Sequence, residues 1–385
     1  MLTFHRRIIL LAFLVLFTLP ALTQTKPRAR DLGVPFDGTP GPLNAITDVK
    51  GVEVGHTTLI SGEGALKVGV GPVRTGVTAI LPRGKDSNDA VFGGWFTENG
   101  AGEMTGTTWL EDSGFLDGPV MITSTHSVGV VHDAVIAWKV KSGVRDPEGY
   151  WWSAPVVAET WDGDLNDANG FHVKTEDAFH AIDTAHSGAV EEGNVGGGTG
   201  MICHEFKGGI GTASRVLSAA NGGYTVGVLV QCNYGDRDQL RVAGVPVGRE
   251  IQDNKVRNKD VGSIIVVVAT DAPLIPTQLK RIARHVALGL ARDGSYAGNG
   301  SGDIFVAFST ANAGAISPSG LRQITMLPND SLDPIFLATV QATEEAVVNA
   351  LVAAETMTGI NNRTVIALPH DRLRELLKKY NRLAQ

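Results

Sequence analysis

Six consecutive apolar residues, 264–269, are rich in β-branched types and closed off by Asp271 and Pro273, the pattern of a strand buried on both faces. Residues 252–260, just before them, are almost entirely polar and read as a solvated loop. Further strand-like runs occupy 76–82, 119–123, 225–231 and 304–308. Residues 44–56 alternate apolar and polar positions into a turn, which predicts a first strand pair. Helical spacing marks 128–140 and a segment opening at Thr175, with that threonine as cap and the acids Glu176 and Asp177 behind it. From Pro276 the apolar residues Leu279, Ile282, Val286 and Leu290 recur at three- and four-residue steps, and Gly294 follows the predicted end. A long helix over about 337–357 and a short amphipathic one over 372–383 complete the set.

The N-terminus stands apart from this pattern. His5, Arg6 and Arg7 precede the apolar run 8–19, and together with the residues that follow they form the three regions of a secretory signal, 1–24, absent from the mature protein. The run is short for a bilayer span of ~20 residues, and no later segment reads as a span. No cysteine follows the run, which argues against a lipid anchor. The expected location is therefore periplasmic or secreted. Losing Arg6 and Arg7 takes the formal net charge from −7 to −9, and no Lys/Arg cluster offsets it, so no nucleic-acid partner is expected. Among 385 residues, 47 glycines without a collagen period point to tight turns and close backbone approaches around a site. The two cysteines, Cys203 and Cys232, are too few for a disulfide scaffold; pairing stays open, but their apolar or glycine-rich surroundings favour two buried free thiols.

The polar loop meets the buried strand at the Gly262–Ser263 bond. Glycine tolerates backbone angles that other residues resist, which allows a strained bond with its carbonyl open to the Ser263 hydroxyl. Attack would shift the acyl group from N to O, and hydrolysis would divide the chain into 25–262 and 263–385. A serine at a new N-terminus carries its own base, an α-amine titrating near ~7.7–8.0. Read alone, Ser263 is more simply the first residue of a strand.

Four other positions carry candidate chemistry. Glu159 and Trp161, two residues apart at the end of an apolar run, would share one face of a strand; on pattern alone a solvated carboxylate beside a core tryptophan is the favoured reading. Asn233, at the end of a predicted strand, is placed to donate to an oxyanion, or is a plain turn residue. Ser301 and Asp303 lie in a glycine-rich loop that leads into a strand expected beside that of Ser263, where they would tune a nucleophile; Ser-Gly-Asp is also a common turn. Two motifs fail on their spacing. The glycine run 193–201 lacks the Gly-Lys-Ser/Thr ending of a phosphate loop and follows a helix, so no nucleotide cofactor is expected. His204-Glu205 begins like a zinc-protease helix, but Gly208 stands where the second histidine belongs.

Taken together, the stretches 44–49, 99–106, 155–167, 193–201, 208–215, 262–273, 300–312 and 343–359 make the chain resemble the L-aminopeptidase/D-esterases and β-peptidyl aminopeptidases, self-processing serine hydrolases. The resemblance implies an α+β fold, a four-layer αββα sandwich like that of the N-terminal-nucleophile hydrolases but with different connectivity. It implies no cofactor, and a substrate that is a short peptide, amide or ester with a free amino end. It makes Ser263 both the self-cleavage residue and the nucleophile, with Ser301 and Asp303 polarising it and Asn233 donating to the oxyanion. Glu159 would hold the substrate ammonium, and Trp161 sits where relatives carry Tyr. A homo-oligomer, a tetramer of αβ units, is implied as well. Two other readings remain open on the residues alone: acyl transfer of the ornithine acetyltransferase type, and a non-catalytic periplasmic binding module.

Overall fold

The computed structural model describes residues 26–143, 152–256, 261–316 and 319–384. The expected signal, 1–24, and part of the expected polar loop before Ser263 lie outside the described residues. Along the chain run strands β1 (Glu53–Ser61), β2 (Val73–Leu81), β3 (Val91–Gly100), β4 (Phe115–Leu116), β5 (Val120–Ser124), β6 (Val156–Thr160), β7 (Ile202–Cys203), β8 (Phe206–Lys207), β9 (Gly209–Val216), β10 (Thr225–Asn233), β11 (Val261–Thr270) and β12 (Gly300–Ser309). The helices are α1 (Thr107–Ser113), α2 (Val128–Lys141), α3 (Thr175–Asp183), α4 (Val247–Glu250), α5 (Pro276–Arg292), α6 (Asp333–Ala353) and α7 (His370–Lys379).

Three apolar clusters between four layers hold these elements together. Val77, Ala79 and Met121 of one sheet pack on Val131, Ala134 and Ile182 of α2 and α3. The other face of that sheet, with Ile80, Ile122 and Ala158, packs on Leu229, Ile265, Val267 and Val306 of a second sheet. The far face of the second sheet, with Val228, Ile264, Val266 and Phe305, packs on Leu279, Val286, Ala346 and Val347 of α5 and α6. Helix, sheet, sheet, helix is therefore the layer order, the αββα sandwich the resemblance implied. The first sheet has the order β1-β2-β5-β6 and the second β4-β3-β12-β11-β10-β9. Within the second, β11 and β12 are parallel, joined through α5, while β10 lies antiparallel to β11. A central strand covered on both faces must be apolar at every position, which is why 264–269 reads as an unbroken apolar run.

Several expectations need correction. Residues 44–56 are not a strand pair: Ile46–Asp48 is a 3-10 turn, and β1 starts only at Glu53. The Asp48 carboxylate accepts the backbone N–H groups of Leu43 and Ala45 at 3.0 and 3.1 Å, drawing the chain into a turn. Thr175 is the first helical residue of α3, not its cap; Asp177 closes the end by accepting the Lys174 N–H at 2.8 Å. The long helix α6 begins at Asp333, earlier than its spacing predicts, with Pro334 in its first turn. By length and composition α6 could cross a bilayer, contrary to the reading of the sequence, but 83% of its apolar window is buried against the sheet and α5. Cys203 and Cys232 are not free thiols; they form a disulfide with a Cα–Cα distance of 5.5 Å. The β7–β8 hairpin brings Cys203 beside β10, a tertiary approach that spacing does not reveal. His204 and Glu205, at φ 45° and 60°, are the two left-handed residues of that hairpin's turn and not the start of a helix.

Candidate active site

The ends of β5, β6 and β10 and the beginnings of β11 and β12 meet at one end of the sandwich. There a cleft of about 410 Å³ is lined by Gly262, Ser263 and Gly300 from the six-stranded sheet and by Thr125, Glu159 and Trp161 from the four-stranded side, with Ala101 and Asp164. The loop carrying Ala101 reaches this position because Gly302 has no side chain. A Cβ there would stand 2.6 Å from the Ala101 carbonyl oxygen.

Ser263 opens the buried part of β11 and is only 4% exposed. Its hydroxyl donates to the carbonyl of Gly262 at 2.6 Å, so the group that would attack this bond lies against it. Gly262 is not in the left-handed region, contrary to the strained backbone its identity suggested. The glycine is required for another reason: a Cβ would lie 1.9 Å from the Asn233 carbonyl oxygen on β10. Asn233 itself is fully buried and directly opposite Ser263 in the antiparallel register. Its Oδ1 accepts the Ile202 N–H at 2.8 Å and its Nδ2 donates to the Trp161 carbonyl at 2.9 Å. A carboxamide has two N–H groups, so these two bonds pin its orientation and use one of them.

Ser301 and Asp303 are buried on β12, next to β11, and bond to each other at 2.6 Å. In the parallel register Ser301 faces Gly262 and Asp303 faces Ile264. Ile264 and Phe305 belong to the helix-side core, whereas Ile265 and Ile304 belong to the core between the sheets. Strand alternation therefore assigns Ser263 to the inter-sheet side and the Ser301–Asp303 pair to the other face, flanking the Gly262–Ser263 bond rather than the hydroxyl.

Glu159 on β6 is buried, and its Oε1 accepts the Glu103 N–H at 3.0 Å while Oε2 accepts the Thr125 hydroxyl. Burial raises its pKa above the ordinary glutamate value, and the two hydrogen bonds hold it back. A carboxylate kept short of solvent in this way gains most when a cation arrives. Trp161, 37% exposed, lies over Gly163 and stands edge-on to His126, which stacks in turn with Phe171. Asp162, behind the cleft, is fully buried with Oδ1 accepting from Ser124 at 3.0 Å; desolvation pushes its pKa up to about 6. Thr125, the Glu103 amide and the Ile202 amide escaped the reading of the sequence. A polar pair, Ser124-Thr125, at the end of a buried strand was the available signal.

The glycine run 196–198 sits behind β10, its Gly196 and Gly197 N–H groups taken by Thr58 and Thr78 hydroxyls at 2.8 and 3.1 Å. Among the described residues no cluster of His, Cys, Asp or Glu is arranged to hold a metal ion.

The model of peptidase family S58 matches residues 44–365, which takes in both sheets and every residue of the cleft. The chain belongs to peptidase family S58. Among curated S58 relatives, the β-peptidyl aminopeptidase BapA of Sphingosinicella microcystinivorans is 60% identical over 380 residues, covering 94% of this chain and 95% of the relative. BapA of Sphingosinicella xenopeptidilytica is 50% identical, with 96% and 95% covered. The L-aminopeptidase D-Ala-esterase/amidase of Ochrobactrum anthropi, described as a serine aminopeptidase with a variant of the Ntn hydrolase fold, superposes with a TM-score of 0.86. It is 50% identical and covers 93% of this chain and 100% of its own. A Burkholderia β-aminopeptidase gives a TM-score of 0.84 at 46% identity, with 92% and 99% covered. The chain is thus a hydrolase of the aminopeptidase kind on an Ntn-like scaffold.

Proposed function

We propose that this is an exported serine aminopeptidase that matures by cutting its own Gly262–Ser263 bond and then releases N-terminal residues from short peptides, amides or esters. The observation that carries the reading is a buried carboxylate, Glu159, lining the same cleft as Ser263. A free substrate ammonium would satisfy that carboxylate, and its attachment would place the first carbonyl near the serine. Blocked N-termini would leave Glu159 buried without a counter-charge and be rejected.

In maturation, Ser263 Oγ adds to the Gly262 carbonyl carbon, its proton passes to the departing amide nitrogen and the C–N bond breaks, leaving an ester on Oγ and a free α-amine on Ser263. Water then hydrolyses the ester to the Gly262 carboxylate and the Ser263 hydroxyl. In turnover the α-amine takes the hydroxyl proton as Oγ attacks the substrate carbonyl, and the Asn233 amide meets the oxyanion. The proton passes to the leaving amine, and water clears the acyl-enzyme. Ser301 and Asp303, flanking the new terminus, would orient the α-amine. The relatives' names extend to β-peptides and to D-alanine esters and amides, and these are the substrate classes to try beside L-aminoacyl compounds. The periplasmic or secreted location, and a tetramer of αβ units, belong to the same proposal.

The test is the intact mass of the purified protein with N-terminal sequencing, followed by assay on aminoacyl p-nitroanilides. Two chains, one beginning Ser263-Ile264-Ile265, and hydrolysis only of unblocked anilides are expected. A single, inert chain would turn the reading toward a binding module.

A further inference from the structure

The Asn233 carboxamide is held on one side by the Trp161 carbonyl and on the other by a piece of chain that does not line the cleft. Its Oδ1 is held by the Ile202 N–H, and Ile202 opens the β7–β8 hairpin that lies along the end of β10. Three ties fix this hairpin. The Cys203–Cys232 disulfide joins the residue after Ile202 to the residue before Asn233. The His204 N–H donates to the Tyr234 carbonyl at 2.6 Å, one residue beyond Asn233. The third is Lys207, fully buried, whose Nζ donates to the carbonyls of Gly208, Met201 and, more distantly, Gly198 at 2.7, 2.8 and 3.4 Å. The Met201 carbonyl belongs to the same peptide unit as the Ile202 N–H, and the Gly208 carbonyl lies at the return of the hairpin, so Nζ ties the two ends together. A buried lysine stem with only backbone acceptors is a costly way to fill space, and a methionine would pack as well. What the amine adds is a fixed turn.

We propose that Lys207 and the Cys203–Cys232 bridge are positioning groups for Asn233: they hold the turn whose Ile202 amide keeps the Asn233 carboxamide pointed at the site of oxyanion formation. An amide that rotates or loosens would still allow substrate to bind at Glu159, because the oxyanion exists only in the transition state. The kinetic consequence rests on the aminopeptidase reading; the structural one does not.

The experiment compares processed wild type, Lys207→Met and the double variant Cys203→Ala/Cys232→Ala, each also in an Asn233→Ala background. Readouts are kcat and KM on an unblocked aminoacyl p-nitroanilide and a crystal structure of each folded variant. The expected result is a kcat lowered at least about tenfold with KM unchanged. No further loss is expected once Asn233 is alanine, since the groups act through it. A purely structural role would lower the melting temperature and leave this split unmoved. Unchanged kcat, an additive loss in the Asn233→Ala background, or an Asn233 amide still bonded to Ile202 at its original place in both variants would each overturn the proposal. Should the Lys207→Met protein fail to fold, the cysteine variant carries the same test. A wild type inert toward every anilide would defeat the aminopeptidase reading, and the crystal structures would still decide whether the hairpin aims Asn233.

Discussion

The two sheets contribute unlike halves to one cleft. From the six-stranded sheet Ser263 lines the cleft, with the buried Asn233 opposite it in a single strand ladder and the buried Ser301 and Asp303 one strand over, behind the lining. From the four-stranded side come Glu159, Thr125 and Trp161, at or just past the ends of β5 and β6. The first half is placed by backbone hydrogen bonds, so a residue there is fixed by register and can hardly move alone. In the second, Glu159 is likewise held by register, opposite Thr123 in the β5–β6 ladder, but its carboxylate is aimed by groups outside the strands, the Thr125 hydroxyl and the Glu103 N–H. Their electrostatics differ in the same way. Ser263 and Asn233 are neutral, whereas the other half has Glu159 and, behind it, Asp162, two carboxylates held up in pKa by burial. The division suits a reaction in which one side breaks a bond and the other selects a cation.

Substitutions that damage one half and spare the other sharpen the contrast. The largest effect is expected from Ser263→Ala, which removes both self-cleavage and turnover while leaving an intact, folded chain; hydrolysis by that protein in a peptide assay would refute the assignment. Asn233→Ala should lower kcat by about 10²–10³ with little change in KM, the cost of one oxyanion donor. Glu159→Gln belongs to the other half and should act mainly on KM for free-amine substrates. A charge-assisted hydrogen bond of about 1.5–3 kcal/mol corresponds to roughly 10- to 150-fold, read as a KM series at fixed pH. If Glu159→Gln instead lowered kcat alone, the proposed separation of roles would be wrong.

The smallest effect concerns stability. Asp162, with a folded pKa of about 6 against an ordinary 3.8, favours the folded state when protonated, so its contribution is present below pH 3.8 and is lost as pH rises through 6. His56, buried and lowered to about 4 from 6.5, has the opposite sign: its contribution is present above pH 6.5 and is lost as pH falls toward 4. The two slopes oppose each other across nearly the same window. Asp162→Asn should therefore be more stable than wild type at pH 7, by up to about 3 kcal/mol, and should uncover a steeper loss on acidification from pH 6.5 to 4. Urea midpoints measured through that range check it, and parallel curves for the two proteins would contradict it.

How much of this was legible follows the same line. The apolar run at 264–269 announced a doubly covered strand, and the steps of Leu279, Ile282, Val286 and Leu290 announced α5, because both patterns are local consequences of burial. The candidate residues could be named from motifs, since each lies at a strand end or in a loop where polar side chains interrupt apolar runs. What went astray had non-local causes. Asp48 draws 44–48 into a turn by accepting two backbone N–H groups, and its own hydroxyl partner, Ser214, is far away in sequence. The cysteines looked like free thiols until the β7–β8 hairpin brought Cys203 beside β10.

The sequence alone determined the longer elements, among them the doubly buried central strand and α5, and the chemical identities available to the site, because periodicity and residue chemistry are properties of the chain itself. Only the tertiary structure decided that Glu159 and Ser263 share a cleft, that Gly262 is needed for its closeness to Asn233 and not for its backbone angles, and that Ile202 aims the Asn233 amide. These depend on sheet stacking, strand register and backbone approach between segments distant in sequence, distances that no local pattern encodes.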